Sequence, residues 1–285
     1  MTKERKEILA GQKEVMAYTL EQIEKCRISH SKKLEINGYN CLNAFPEEIR
    51  QLTWLTSLSV VHTEIKALPE WIDNLSRLKK IYLEGTYLET LPETFGNLKA
   101  LEEFVLCEGQ DSWFTHFPEP FGNLHSLKSF CIINSKITKL PESFGNLKSL
   151  KKLTIDRDTE TDLHFPKSMK NLKTLKYINI SAFKKVPDFI GELTELTDLD
   201  LSHNQLYELP DFLGNLKKLK ILNLHSTWIK ELLEWVGELK TLVELDITGN
   251  DISVDPKIKD KLPKLKRYYD SYNVFNAEES NIDNR

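Results

Sequence analysis

The sequence is poor in the features that mark the specialised protein classes. It has four cysteines in 285 residues and no CxxC pair, which leaves neither a disulfide framework nor a zinc site. No apolar run approaches the roughly 18 residues that a membrane span needs. The stretch from Met1 to Leu20 alternates charged with apolar side chains and holds no signal-peptide core. Neither sign of charge dominates: 39 Lys and Arg against 43 Asp and Glu give −4, so there is no basic field to hold nucleic acid or anionic lipid. Gly-rich phosphate loops, HExxH and nucleophile elbows are also missing. A reducing, cytoplasmic compartment is expected for such a chain. What it has in excess is leucine, 43 residues, within a composition of 40% hydrophobic and 29% charged residues that can build a core.

The leucines are phased. A pair of apolar residues two apart recurs at Leu34/Ile36, Leu58/Val60, Ile81/Leu83, Phe104/Leu106, Phe130/Ile132, Leu153/Ile155, Ile178/Ile180, Leu199/Leu201, Leu222/Leu224 and Leu245/Ile247. The intervals are 24, 23, 23, 26, 23, 25, 21, 23 and 23 residues. Nine of the eleven prolines and six of the eleven glycines (96, 122, 145, 191, 214 and 237) keep the same register. Composition bias does not phase three residue types together, so this is a structural repeat. Alternation in LxL sets both apolar side chains on one face of a short strand. The proline is expected to start a turn of helix, where its fixed φ is harmless. The glycine is expected to end that turn in a left-handed conformation.

The unit is clearest in LTELTDLDLSHNQLYELP, Leu193 to Pro210, which resembles the leucine-rich repeat pattern LxxLxLxxNxL. With PESFGNLKSL at 141–150 it is similar to the short 23-residue prokaryotic and Ras-group type. The resemblance covers about residues 34–270. It implies an α/β fold, a right-handed solenoid curved like a horseshoe. A parallel sheet would line the concave face, with short helices or 3-10 turns on the convex face. Residues 1–30 read as an amphipathic capping helix, 31–270 as ten or eleven repeats, and 271–285 as a polar tail. The polar Asp270, at an apolar repeat position, suits a terminal capping unit.

Departures from the consensus carry the functional reading. The Asn that ladders backbone between repeats occurs only at 204 and 250; Thr63, Thr86, Ser135 and Thr227 offer a hydroxyl instead, and Gly109 and Phe183 offer neither. The fourth repeat gains three residues in CEGQDSWFTHFPEP, the sixth gains two in DRDTETDLHFP, and the seventh loses two. All three changes fall on one edge loop, which in solenoids is often the binding face. Trp113 lies in the longest of these loops as an aromatic anchor; Phe114 is either a second anchor or a ring closing the core edge. Trp54, Trp71, Trp228 and Trp235 fall at positions expected to be exposed.

Strand alternation lists the outward side chains. The column inside LxL reads Glu35, Ser59, Tyr82, Val105, Cys131, Thr154, Asn179, Asp200, Asn223 and Asp246. Before it stand Lys80, Glu103, Tyr177, Asp198 and Glu244, and after it Glu84, Cys107, Ile133, Asp156, Ser202, His225 and Thr248. Val105, Cys107, Cys131 and Ile133 form an apolar patch. Asp198, Asp200, Glu244 and Asp246 form an acidic zone near His203 and His225. Cys107 and Cys131 sit on neighbouring strands but in different columns, ~8 Å apart at Cα, beyond the ~7 Å limit of a disulfide. Cys41 takes an apolar, core-like position and Cys26 belongs to the cap.

The sequence therefore reads as a non-catalytic scaffold without a cofactor or metal. It is expected to bind a protein through the sheet and the loops of repeats four to six, and to bind neither nucleic acid nor membrane. The partner-contact set is Tyr82, Val105, Cys107, Trp113, Phe114, Cys131, Ile133, Asp156, Arg157, Tyr177, Asp198, Asp200, His225 and Asp246. One alternative is a secreted effector or surface-interaction protein. Another is a metal- or small-ligand module on Asp200, His225 and Asp246. A hydrolase built on His225 and Ser202 is disfavoured, because an open, solvated sheet neither excludes water nor supplies an oxyanion site.

Overall fold

A computed structural model describes residues 3–109, 113–157, 163–250, 252, 255–270 and 274–276. The chain divides into two compact units, Met1–Leu150 with Arg157–Ser168, and Lys151–Asp156 with Met169–Arg285. The exchange falls at the sixth repeat, where the two extra residues sit.

Each repeat contributes one strand. The first unit has helix α1 (Lys3–Ser29), then β1 (Lys33–Asn37), β2 (Ser57–Val61), β3 (Lys80–Glu84), β4 (Glu103–Cys107) and β5 (Ser129–Ser135). These five strands pair in chain order, all parallel. Leu34, Leu58, Ile81, Phe104 and Phe130 stand opposite one another in sequence, so the register advances by one whole repeat per strand. The second unit has β6 (Lys152–Arg157, its last residue counted with the first unit), β7 (Tyr177–Ile180), β8 (Asp198–Asp200), β9 (Ile221–Asn223), β10 (Glu244–Asp246), α2 (Pro256–Asp260), β11 (Arg267–Tyr269) and β12 (Val274–Asn276). Here β6 to β11 pair parallel in chain order, and β12 adds antiparallel to β11. The predicted polar tail thus includes a strand at 274–276; residues 271–273 and 277–285 lie outside the described residues.

Five-residue 3-10 turns run from Glu47–Gln51 to Glu234–Glu238, one per repeat. The phased prolines stand just before them. Pro46, Pro69, Pro92, Pro118, Pro141, Pro187 and Pro210 have φ between −63 and −74°, the value that the ring imposes. Pro256 differs, because it opens α2, where the Asp255 carboxylate accepts from the Lys257 amide at 2.8 Å.

The phased glycines have another purpose from the one expected. They lie inside the 3-10 turns, and positive φ among the described glycines is confined to Gly85 and Gly249. A Cβ on Gly96, Gly122 or Gly145 would lie 2.1, 2.2 or 2.3 Å from the carbonyl oxygen of Pro120, Ser143 or Ser168 in the next turn. The glycine column exists for close approach between repeats, not for a left-handed cap.

The inward LxL pairs are buried along both units. Deletion of one, as in Leu201→Ala, is expected to cost ~2–5 kcal/mol. In the first unit an aromatic stack reinforces them. Phe95, Phe121 and Phe144 stack at 6.0 and 6.1 Å, and Phe104 and Phe130 meet Phe121 edge-on at 5.6 Å.

The asparagine rungs are complete in the second unit. Asn204 accepts from the Phe183 amide at 2.7 Å and donates to Ile180 and Leu201 carbonyls at 2.7 and 2.6 Å. Asn250 accepts from the Thr227 amide at 2.9 Å and donates to Leu224 at 2.6 Å. Phe183, which supplies no side-chain donor, is served through its amide. The hydroxyl substitutes are unequal. Thr227 Oγ1 bonds to Leu224 O at 2.8 Å, and Thr86 Oγ1 bonds to the buried Glu108 carboxylate at 3.2 Å. The buried hydroxyls of Thr63 and Ser135 meet no hydrogen-bond partner among the described residues.

At the N-terminal end α1 packs on β1 and on the turn Glu47–Gln51, with Thr19, Ile23 and Cys26 buried. Cys41 is half-buried rather than core. Asp270 is buried, and its carboxylate accepts from Tyr268 Oη at 2.6 Å, so its polar group faces inward with a donor. All four cysteines are thiols. No helix among the described residues is long and apolar enough to cross a membrane.

Candidate functional site

The outward face of the first unit follows from strand register. Tyr82, Val105 and Cys131 stand side by side in one row, and Glu84, Cys107 and Ile133 in the next. Cys107 is therefore opposite Ile133 and Cys131 opposite Val105, the diagonal arrangement that the sequence pattern predicts. Val105, Cys107, Cys131 and Ile133 are half-buried, and Tyr82 is 37% exposed beside them. Lys80 and Glu103, on the neighbouring row, neutralise each other at 2.6 Å. Tyr82 Oη donates to Glu84 Oε2 at 2.5 Å. That bond, helped by partial burial, by the Glu84 charge and, at the alkaline pH where they ionise, by the Cys107 and Cys131 thiolates, pushes the Tyr82 phenol up to about 12. Tyr82 is consequently a neutral donor throughout the physiological range.

The loop of the fourth repeat leaves after β4 and returns to register where His116 bridges Lys139; the sixth returns where Lys139 bridges His164. Residues 110–112 and 158–162 of these loops lie outside the described residues. Trp113 is 65% exposed, the arrangement an anchor needs. Phe114 is fully buried, with its ring 4.7 Å from Phe117. Of its two expected roles the partner contact is thereby corrected: the apolar ring is drawn into the aromatic core and closes its edge. Arg157 is likewise buried, only 5% exposed, at the inward position that ends β6, so its expected contact with a partner is corrected too. The Trp54 indole donates to Ser31 O and the Trp71 indole to Glu47 Oε1, both at 3.0 Å. Both rings lie half-buried along the surface, as does Trp235.

In the second unit the acidic side chains are largely committed to local bonds. Asp200 Oδ1 accepts from the Ser202 amide at 2.9 Å, and Asp246 Oδ1 from the Thr248 amide at 2.9 Å. Asp156 accepts from Ser181 Oγ, and Asp198 from Thr197 Oγ1. Glu244 is paired with Arg267 at 2.5 Å. Tyr177 is half-buried opposite Asp198. His225 uses both ring nitrogens: Nδ1 is 2.6 Å from Thr248 Oγ1, and Nε2 is 3.1 Å from Ser226 Oγ. Thr248 Oγ1 itself donates to Asp246 Oδ1 at 2.6 Å, so it accepts from Nδ1–H and leaves Nε2 to accept from Ser226. A metal at Asp200, His225 and Asp246 would have to break these bonds. Among the described residues no group of three His, Cys, Asp or Glu side chains is placed to hold an ion.

Three features escaped the sequence reading. Glu84 stood in an outward column but was not singled out, because its significance lies in its link to Tyr82. Glu108 is buried beside Thr86, where the pattern puts Gly109 in the ladder position. Tyr207 and Trp228, 59% and 48% exposed, meet edge-on at 5.8 Å.

A family model described as leucine-rich repeat region matches residues 9–129 and 108–203, and a second, leucine rich repeat, matches 194–252. No curated protein matches the chain. Among solved structures, a leucine-rich repeat protein of Leptospira interrogans is similar, with 29% identity and a TM-score of 0.69 over 83% of this chain and 59% of that one. This chain therefore spans less than two thirds of that protein's length. An internalin of Listeria monocytogenes is similar in fold at 19% identity and a TM-score of 0.59, covering 85% of this chain and 74% of that one. So is a chain of the Toll–Spatzle complex of Drosophila, at 19% identity and a TM-score of 0.68, covering 83% of this chain and 32% of that one.

Proposed function

This chain belongs to the leucine-rich repeat family, and we propose that it is a non-catalytic scaffold that holds a protein partner. Proteins of this family generally mediate protein–protein interaction. The contact surface in this reading is the outward face of β3 to β5 together with the edge loops of repeats four to six. One observation carries it: four apolar side chains, Val105, Cys107, Cys131 and Ile133, lie together on a solvated sheet face. Such a sheet face has little reason to expose them unless something covers them. Exposed Trp113 extends the surface from the loop. The net charge of −4 argues against nucleic acid as the partner. The four thiols suit a reducing, cytoplasmic compartment.

Affinity capture from native lysate with the wild type, Trp113→Ala and Val105→Asp tests the surface. Loss of the same protein from both variants, with unchanged melting temperatures, is the expected result. Equal recovery from all three would remove this face as the docking site.

A further inference from the structure

We infer that the occupant of this face is an extended segment of a partner protein carrying an arginine two positions from an apolar residue. The inference rests on the docking surface proposed above and adds the chemistry of what docks there.

The charge on the face is unevenly settled. Lys80 and Glu103 cancel each other at 2.6 Å. Glu84 meets the Tyr82 phenol at 2.5 Å, and among the described residues no cation pairs with it. A phenol donates one proton and does not neutralise the carboxylate. Glu84 is also half-buried, in the same row as Cys107 and Ile133. A wholly apolar partner would bury this charge without compensation, and an acidic one would be repelled. A partner that brings one cation and one apolar group satisfies both halves of the row.

The spacing selects their separation. Neighbouring strands are about 4.8 Å apart, so Glu84 and Ile133, two strands apart, are separated by about 10 Å. In an extended chain, side chains two residues apart point the same way and are separated by about 7 Å. The remaining ~3 Å is within reach of a long side chain but not of a short one. Arginine suits this place better than lysine. Tyr82 Oη already occupies Glu84 Oε2, which leaves Oε1 to accept from the guanidinium, and the 37% exposed Tyr82 ring offers a face on which a planar cation stacks.

The test uses labelled twelve-residue peptides rich in threonine and valine, identical except for Arg, Lys, Gln or Glu two positions before a central Val. Binding is followed by fluorescence anisotropy to the full chain as wild type, Glu84→Gln and Val105→Asp, at low and moderate salt, with a melting curve for each protein. The expected result for the wild type is affinity in the order Arg, Lys, Gln, Glu, with Arg at least about tenfold above Gln at low salt. Glu84→Gln should reduce that gap to within about threefold, and Val105→Asp should weaken every peptide. Equal binding of the Arg and Gln peptides, or an Arg preference that survives Glu84→Gln, overturns this inference. It leaves the docking surface standing if Val105→Asp still abolishes binding. No binding of any peptide also overturns it, while the capture experiment separately decides the surface. A concentration-dependent wild-type dimer that Glu84→Gln dissociates identifies a second copy of this chain as the occupant, and likewise overturns it.

Discussion

At Gly122 the absence of a single methyl group decides whether two repeats fit together. A Cβ there would lie 2.2 Å from Ser143 O, a backbone atom that cannot swing aside. A Cβ on Gly109 would meet nothing within 4 Å among the described residues. Gly122→Ala is therefore expected to destabilise by about 1–3 kcal/mol, whereas Gly109→Ala should stay within about 0.5 kcal/mol in urea unfolding. Tyr82 gives a second prediction. Its phenol is raised from 10.0 to about 12. The folded state thus holds the proton more tightly, and the associated stability is present below pH 10 and lost as pH rises through about 12. Ring-carbon NMR titration should show Tyr82 ionising well above the ordinary tyrosine value of 10.0, and Glu84→Gln should bring it back toward that value. Residues in strands were legible in the sequence because alternation assigns each a face. Phe114 was not, because in a lengthened loop no period says which way a side chain turns; Arg157 ends β6 on the same face as Leu153 and Ile155, so alternation marked it as inward although its charge suggested a partner contact.

For the elements, the contrast lies in the rung that joins one repeat to the next. Asn204 satisfies a buried amide and two buried carbonyls in the second unit. Asn204→Ala leaves them without a partner and is expected to cost about 2–3 kcal/mol. Thr63 holds the equivalent place in the second repeat, but its buried hydroxyl has no partner among the described residues. Thr63→Val keeps the shape and removes that hydroxyl, so it should raise stability by about 1 kcal/mol. Thermal or urea unfolding of the two variants checks both signs. The rung positions were legible from the Asn at LxLxxN, but whether a hydroxyl finds a carbonyl depends on fractions of an ångström. The 3-10 turns were legible from Pro and Gly. The role of the glycine was not, because left-handed geometry and a missing Cβ leave the same letter in the sequence.

On the scale of the whole molecule, burial is shared between neighbours, and stability approximates a sum over adjacent repeats. Phe121 stacks between Phe95 and Phe144, so Phe121→Ala removes contacts on both sides and is expected to cost about 3–5 kcal/mol. Hydrogen exchange should show the largest loss of protection in β4 and β5 and none in β9 and β10; a uniform loss would contradict nearest-neighbour stability. The phenylalanine stack was present in the sequence as TFGN, PFGN and SFGN at one repeat position. The proposed docking face was legible as far as its apolar columns. The carboxylate to which we ascribe its selectivity stands out only through the bond between two alternate residues of one strand, Tyr82 and Glu84.

The register of the strands also sets a clock. Ser57 stands opposite Lys80, its counterpart 23 residues later, and the same step recurs between β3 and β4. At roughly 5–20 residues per second, a ribosome supplies one such step every ~1–5 s. Loop closure over so short a span is far faster, in the microsecond range or below. Each strand can therefore find its final neighbour as soon as the next repeat emerges, and the molecule can be finished in the order in which it is translated.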